Sequence, residues 1–236
     1  QARFEVTNLR RGSRVRGVSF NIRAGEVLGL TGLVGAGRTE TARLLFGADR
    51  PEHGVIRLDG KPLKIKSPRD AIRQGICLLT EDRKTHGLVL GQTARENFGL
   101  PNLSQFASLG FIRQREESRE FLRYVDQIQI KIADPEQITG TLSGGNQQKV
   151  VLAKWLQRNA EVIIFDEPTR GIDVGAKYEI YQLINQLATD GKAILMISSE
   201  LPEVLGMSDR ILVMNEGRIT GEITDPRELL ARGVGK

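Results

Sequence analysis

The chain has 236 residues, of which 39% are hydrophobic and 27% are charged, and its formal net charge is +5. This composition is typical of a folded globular chain with a sizeable core, and it excludes intrinsic disorder. The longest apolar runs have the length of a strand, well short of the ~18 residues that cross a bilayer, so any membrane role is predicted to be peripheral. Cys77 is the only cysteine, which excludes a disulfide framework and favours a reducing compartment.

The first part of the chain predicts strands around a glycine-rich turn. The alternating segments RFEVTNL and VRGVSFNI predict an antiparallel hairpin covered on one face, and EVLGLT predicts a buried strand. A helix, RTETARLLFG, ends at Gly47, and GVIRLDG and GICLLT add two strands. The basic stretch RRGSRVRG lies in the hairpin. We interpret it as a solvated surface, with a surface close to a nucleotide as the alternative.

The rest of the chain alternates between helical and strand patterns after a polar, helix-rich middle. The region from about 95 to 158 contains RQREESREFLRYV and the amphipathic segment GGNQQKVVLAKWLQ, and we predict that it is an inserted helical subdomain. The apolar runs EVIIF, AILMI and RILVMN alternate with helices, a hairpin ILVMNEGRITGEI follows, and a short helix closes the chain. This alternation predicts an α/β fold with a parallel sheet.

The stretch GLVGAGRTE follows the buried strand EVLGLT and has the spacing of a phosphate-binding loop at all positions but one. Glycines let backbone N–H groups converge on phosphate oxygens, and the following helix directs its positive end to the same place. The loop is therefore predicted to bind a nucleotide, with the hydroxyl of Thr39 as a Mg²⁺ ligand. Its nucleotide-binding residues are Gly32, Leu33, Val34, Gly35, Ala36, Gly37, Arg38, Thr39 and Glu40.

Arg38 occupies the position where the phosphate-binding loop has a lysine. It retains the positive charge, but its guanidinium is a wide planar fork and not a compact point charge. We expect it to hold phosphates with the γ-phosphate out of line for attack. The alternative for this motif alone is a glycine-rich turn that binds nothing.

The segment VIIFDEPTRGID places two carboxylates at the end of a predicted buried strand. Ligands of open α/β sheets bind outside the carboxyl ends of the strands, where the glycine loop also lies. Asp166 is predicted to hold Mg²⁺, and Glu167 to polarise a water for attack on the γ-phosphate. The alternative is an acidic helix cap, which would need neither the buried strand nor the glycine loop.

The segment LSGGNQQKV predicts a second anion site at the start of a helix. Ser143 caps a first turn that is nearly bare backbone, and two glycines in a first turn are costly for a helix with a purely structural role. The predicted ligand-binding residues are Ser143, Gly144, Gly145, Asn146 and Gln147. Because the chain has a single phosphate loop, this second site is predicted to serve the nucleotide of another subunit.

These three motifs, in this order, resemble the nucleotide-binding domain of ABC ATPases, and the resemblance covers essentially the whole chain. They match the Walker A, signature and Walker B/D-loop regions of that family. The longer stretches TEDRKTHGLVLGQTARENF and ISSELPEVLGMSDRILVM look like the second ATPase half of bacterial monosaccharide importers of the ribose/galactose/xylose type. We therefore interpret 1–236 as one ABC domain, a P-loop NTPase core with an antiparallel β subdomain, from a tandem two-ATPase polypeptide.

The resemblance implies a mechanism in which two such domains meet head to tail with ATP and Mg²⁺ between them. Each ATP would contact the phosphate loop of one domain and the signature of the other, and Asp173, in the D-loop, joins the nucleotide-binding residues. The implied partners are a second ABC ATPase domain in the same full-length chain, membrane permease subunits and, indirectly, a sugar-binding protein. No nucleic acid is expected. The implied location is the cytoplasmic face of the bacterial inner membrane, as a peripheral domain.

The chain departs from the family pattern around the γ-phosphate. Besides Arg38, Glu81 stands where most members have a glutamine that contacts Mg²⁺ and water, and Ser199 stands where most have the switch histidine. We assign Glu81 as a metal ligand and Ser199, with Glu167, as a catalytic residue. Together the departures predict a slow, degenerate site in a half that still supplies its intact signature to a faster partner site.

Two alternatives to sugar import remain at this stage. A soluble ABC ATPase working on ribosomes or DNA would predict a long basic insert, coiled-coil arms or zinc-ligand cysteines, none of which the sequence contains. A non-hydrolysing clamp, which binds ATP and signals its occupancy, would differ from an importer ATPase in turnover and not in fold.

Overall fold

The computed structural model describes residues 2–108 and 110–226, and these residues form two compact units. The first unit comprises the described residues within 1–78, 161–168 and 184–236, and the second comprises those within 79–160 and 169–183. The strands are β1 (Ala2–Arg11), β2 (Val15–Arg23), β3 (Val27–Gly32), β4 (His53–Leu58), β5 (Lys61–Pro62), β6 (Ile76–Leu79), β7 (Ala107–Ser108), β8 (Phe111–Ile112), β9 (Val162–Asp166), β10 (Ala193–Ile197), β11 (Arg210–Asn215) and β12 (Arg218–Ile223). The helices are α1 (Arg38–Leu45), α2 (Pro68–Arg73), α3 (Ala94–Gly99), α4 (Leu103–Phe106), α5 (Gln114–Gln127), α6 (Gly144–Leu156), α7 (Val174–Thr189) and α8 (Leu201–Met207).

The first unit contains a four-stranded sheet in the order β2-β1-β4-β5, in which every adjacent pair is antiparallel. Buried and exposed residues alternate along β2, because successive side chains point to opposite faces of a strand. The predicted hairpin at the start of the chain is confirmed. The basic stretch between β1 and β2 is largely exposed, in agreement with the interpretation of a solvated surface.

The larger sheet of the first unit has six strands in the order β12-β11-β3-β10-β9-β6. Strand β10 pairs in parallel with β3 and β9, β11 pairs in parallel with β3, and β12 is antiparallel to β11. Every residue of β9 and β10 is buried, as expected for strands covered on both faces. The predicted α/β fold, with a parallel sheet and an antiparallel sheet, is confirmed, and so is the hairpin of β11 and β12.

The second unit contains helices, with an aromatic core between α3 and α5. Phe98 of α3 lies 5.3 Å from the ring of Phe121 and 5.6 Å from the ring of Tyr124, measured between centroids. Arg95 is also buried, and ion pairs with Glu117 and Glu136 neutralise its charge inside the unit.

A capping box formed by Thr93 and Glu96 starts α3.

The structure also bears on several smaller predictions. Cys77 is buried, as predicted for a core thiol. Within residues 2–108 and 110–226, no helix combines the length and apolarity that a membrane span requires. The helix predicted to close the chain lies outside the described residues, and the boundaries of the helical subdomain at about 95–158 stay a prediction.

Candidate nucleotide-binding site

The parallel pairing of β3, β9 and β10 brings three predicted site elements to one edge of the larger sheet. Ile197 at the end of β10 is level with Leu30 in β3 and with Asp166 at the end of β9. The segments that continue from these three strands therefore leave the sheet side by side. They carry the glycine loop, the Asp166–Glu167 pair and Ser199, and the glycine loop is more than a hundred residues away from the other two in the sequence.

The glycine loop is held by backbone contacts that leave no room for side chains at two of its positions. A Cβ at Gly37 would lie 2.2 Å from the carbonyl oxygen of Arg14, and a Cβ at Gly32 would lie 2.3 Å from that of Met214. Gly37 has φ 101°, in the left-handed region, and is the N-cap of α1. Leu33 and Val34 are exposed at the tip of the loop. The loop thus places the amino end of α1 at the carboxyl edge of the sheet.

Arg38 turns its side chain inward from the first position of α1. Its guanidinium Nη1 lies 3.5 Å from Oε1 of Glu167, and each of the two side chains is only 10% exposed. Nη1 is nevertheless buried without a hydrogen-bond partner among the described residues. The ion pair is therefore close enough for Coulomb attraction, but it leaves a buried donor unsatisfied, which costs about 1–3 kcal/mol.

Asp166 is buried beside Thr39. The Thr39 hydroxyl donates to Oδ1 of Asp166 across 3.3 Å. Burial raises the pKa of the Asp166 carboxyl to about 6, the bond from Thr39 opposes the shift, and the negative charges of Glu167 and Glu40 add to it. Few favourable interactions offset the cost of burying this charge, so a bound cation would stabilise the ionised carboxylate.

Glu167 follows β9 in a left-handed conformation, with φ 51°. Its backbone N–H donates to the carbonyl oxygen of Ile197 at 2.9 Å, which fixes this conformation against β10. Its carboxylate is contacted on both oxygens, because Oε2 accepts a hydrogen bond from the Ser199 hydroxyl at 3.1 Å and Oε1 faces Arg38. The two residues assigned to catalysis, Glu167 and Ser199, are thus in direct contact.

Replacing Asp166 with asparagine should stabilise the nucleotide-free protein at high pH and not at low pH. The folded-state pKa of about 6 lies above the ordinary value of 3.8, so the folded state binds more protons between these values and loses stability as pH rises through them. We expect Asp166→Asn to raise the free energy of unfolding by about 2 kcal/mol at pH 8 and by much less at pH 4. Urea unfolding with a chelator present measures both values.

The control is Asp126→Asn, which makes the same chemical change at an exposed carboxyl in α5. It should leave the free energy of unfolding unchanged at both pH values. A stabilisation by Asp166→Asn that is equal at pH 4 and pH 8 would contradict the assignment of a buried, poorly compensated charge.

The signature segment starts α6 in the second unit. Ser143 is the N-cap, and its Oγ accepts hydrogen bonds from the backbone and side-chain amides of Asn146. A Cβ at Gly145 would lie 2.8 Å from Cβ of Ala176, so the first turn of α6 packs tightly on the start of α7. Gly144 and Asn146 are partly exposed and Ser143 is exposed, which leaves this helix end accessible.

Gln147 serves the local fold of the second unit. Its side chain is buried, and its amide donates to the carbonyl oxygens of Thr139 and Leu142 at 3.3 and 3.2 Å. The sequence predicts Gln147 as a ligand-binding residue of the signature, and that role stays a prediction. Its burial follows from a position one turn after the cap, where the side chain faces the loop that precedes α6.

Two further predicted residues have local partners in the second unit. Asp173 is exposed and accepts a hydrogen bond from the backbone N–H of Ala176, as a helix N-cap does. Glu81, assigned as a metal ligand, forms an ion pair with Arg170. The roles of both residues toward a nucleotide stay predictions.

The residues at the sheet edge fit a nucleotide with its Mg²⁺ ion. Thr39 and Asp166 offer two adjacent oxygen ligands, and Mg²⁺ in nucleotide sites takes one or two such protein ligands together with phosphate oxygens and waters. Arg38 offers a buried donor without a hydrogen-bond partner, which a phosphate oxygen would satisfy. The glycine loop adds backbone N–H groups at the start of α1.

The sequence analysis did not assign Arg14 to this site, since a surface close to a nucleotide was only the alternative interpretation of the basic stretch that contains it. Its carbonyl oxygen lies against Gly37, and its guanidinium donates to the carbonyl oxygen of Gly35 at 3.5 Å. The signal was present as one of several arginines in the basic hairpin, but nothing in their spacing singles out Arg14. Its contact with the loop depends on how the hairpin packs, which a local pattern does not encode.

Comparison with known proteins places these features in a family. Residues 15–170 match the family model described as ABC transporter. A putative ribose/galactose/methyl galactoside import ATP-binding protein 1 of Rhizobium etli is 56% identical over 219 residues, which are 93% of this chain and 42% of that protein. A ribose import ATP-binding protein of Oceanobacillus iheyensis is 53% identical over 219 residues, again 93% of this chain and 44% of the relative. The chain thus spans less than half the length of these relatives.

A solved structure supports the same fold. The crystal structure of a nucleotide-free ATP-binding cassette from an ABC transporter matches with a TM-score of 0.83, over 98% of this chain and 94% of that one. The sequences are 22% identical, so this likeness concerns the fold alone.

Proposed function

Because the chain belongs to the ABC transporter family, as one of its ATP-binding domains, we propose that it binds and hydrolyses ATP to drive a bacterial sugar importer. Family membership confirms the resemblance drawn from the sequence motifs. The observation that carries the proposal is the convergence of the glycine loop, Asp166 and Glu167 at one sheet edge of a chain more than half identical to sugar import ATP-binding proteins.

The geometry supports distinct roles for the residues at this edge. The loop and Arg38 would hold the phosphates, and Thr39 and Asp166 would hold Mg²⁺. When bound, the Mg²⁺ ion neutralises charge on the phosphate oxygens. Glu167 would accept the proton of the attacking water, and Ser199 would orient the Glu167 carboxylate through its hydrogen bond. Ser199 is thus a positioning residue in this proposal.

We further propose that this site turns ATP over slowly. The observation in favour is the pairing of Glu167 with Arg38, because ATP has to displace the guanidinium from Glu167 before that carboxylate can act as the base. Glu81, at the position where a glutamine is usual, pairs with Arg170 in the second unit.

The signature, in contrast, is intact. Ser143 and Asn146 form a complete cap at an accessible helix end in the second unit. This arrangement suits a signature that completes the site of another domain.

The proposed partners follow from the names and the lengths of the relatives. They are import ATP-binding proteins about twice as long as this chain, so we propose a second ABC ATPase domain in the same polypeptide, arranged head to tail. Membrane permease subunits and, indirectly, a sugar-binding protein complete the proposed importer. The domain would lie at the cytoplasmic face of the bacterial inner membrane as a peripheral component.

Sugar uptake by cells that carry variants of the full-length protein tests this proposal. Ser143→Arg places a bulky cation at the accessible end of α6 and should reduce uptake of labelled ribose or galactose by about 10²-fold, as loss of a positioned anion site does. Glu167→Gln should reduce uptake less, because the partner site is proposed to be the faster one.

Two results would contradict the proposal. Unchanged uptake of both sugars in the Ser143→Arg strain, at wild-type protein levels, would contradict sugar import. A larger loss from Glu167→Gln than from Ser143→Arg would contradict the slow-site assignment while leaving sugar import intact.

A further inference from the structure

The contact between Arg38 and Glu167 joins the proposed phosphate ligand to the proposed base. Both side chains are 10% exposed, and their nearest polar atoms are 3.5 Å apart. A charge pair this well removed from solvent is screened far less than a surface pair. The two residues therefore hold each other.

The contact is attractive but incomplete, because Nη1 of Arg38 lacks a hydrogen-bond partner among the described residues. A guanidinium has five N–H donors in a fixed fork, and a carboxylate satisfies it best through two parallel bonds. The observed geometry does not achieve this arrangement. A phosphate group that offered oxygens in the fork geometry would thus compete effectively for Arg38.

The other oxygen of Glu167 is held independently of Arg38. Oε2 accepts the Ser199 hydroxyl at 3.1 Å, and the backbone of Glu167 is fixed to Ile197. If Arg38 moved toward a phosphate, the Glu167 carboxylate would keep its place and lose only its counter-ion. Oε1 would then be available to accept a hydrogen bond from a water.

We propose that Arg38 is a positioning residue that occupies Glu167 until the phosphates of a nucleotide take the guanidinium, and that nucleotide binding thereby frees Glu167 to act as the base. This inference rests on the proposed function and adds to it a step that controls when Glu167 can act as the base. A lysine at the same position carries a compact ammonium with three donors and lacks the planar fork that two phosphate oxygens would satisfy together.

The test is a double-mutant cycle on the affinity for Mg²⁺ and the non-hydrolysable analogue AMP-PNP, measured by calorimetry. Glu167→Gln removes the competitor for Arg38 and should tighten binding by about tenfold, within the range of couplings between contacting groups. In an Arg38→Met background, the same substitution should have a clearly smaller effect. Arg38→Lys, which retains the charge, provides a second background in case Arg38→Met does not fold.

Glu5→Gln is the matched control for charge, because it makes the same chemical change in β1 of the same unit, outside the residues proposed to bind the nucleotide. It should leave the affinity unchanged both with Arg38 and without it. An effect of Glu167→Gln that is also equal in both backgrounds would overturn the inference and leave the ATP site intact. Failure of the folded wild-type chain to bind AMP-PNP would overturn the proposed function as well.

Discussion

Glu167→Gln is expected to slow ATP hydrolysis by the isolated chain by about 10²- to 10⁴-fold, the usual contribution of a general base. Glutamine has the size of glutamate and its side-chain oxygen can still accept the Ser199 hydroxyl, so the substitution removes the proton acceptor with little change of shape. Nucleotide affinity should be tightened, because the competitor for Arg38 is removed. Phosphate release from Mg²⁺·ATP at saturating nucleotide measures the rate, and calorimetry measures the affinity.

The matched control is Glu200→Gln, which makes the same chemical change at an exposed residue directly after Ser199. Its rate should stay close to that of the wild type. Equal rates in Glu167→Gln and wild type, with Mg²⁺·ATP bound by both, would contradict the role of Glu167 and favour a clamp that binds ATP without hydrolysing it.

Gly37→Ala is expected to destabilise the protein by about 2–5 kcal/mol. The left-handed backbone costs about 1–2 kcal/mol for a residue with a side chain, and overpacking adds about 1–3 kcal/mol. The clash is severe because the new Cβ would lie 2.2 Å from a backbone atom, the carbonyl oxygen of Arg14, and no side-chain rotation can relieve it. Urea unfolding of the nucleotide-free protein measures the change.

Gly60→Ala separates the two contributions. Gly60 also has a positive φ, 75°, but a Cβ there would meet nothing within 4 Å. It should therefore show only the backbone cost of about 1–2 kcal/mol. Equal destabilisation by the two substitutions would mean that the loop moves away from Arg14 at little cost, and that the tight contact does not hold it in place.

The strands that build the site were predictable because their information is local. EVIIF and AILMI are uninterrupted apolar runs, and such runs are typical of strands buried on both faces of a parallel sheet. Once these strands are adjacent and parallel, the loop after β3 and the acidic pair after β9 must lie at the same edge. The convergence of the phosphate loop with Asp166 and Glu167 thus follows from sequence pattern and a general rule of topology.

The side-chain contacts within the site were not predictable in the same way. Arg38 and Glu167 are far apart in the sequence, and neither residue type nor spacing indicates that they pair in the absence of nucleotide. Nothing in LSGGNQQKV indicates that the amide of Gln147 bonds to the carbonyl oxygens of Thr139 and Leu142. Such contacts depend on rotamers and on packing between distant segments, which no local pattern encodes.

The central claim is that the chain binds ATP at the Arg38 loop and turns it over slowly through Glu167. The most direct test is phosphate release by the wild-type chain over a range of protein concentrations, with calorimetric binding of Mg²⁺·AMP-PNP to the same sample. The account predicts clear binding together with slow release that is lost in Glu167→Gln. Rapid release that depends on Glu167, rising more than linearly with protein concentration, would mean that two copies pair and that Arg38 supports fast chemistry, which would contradict the account.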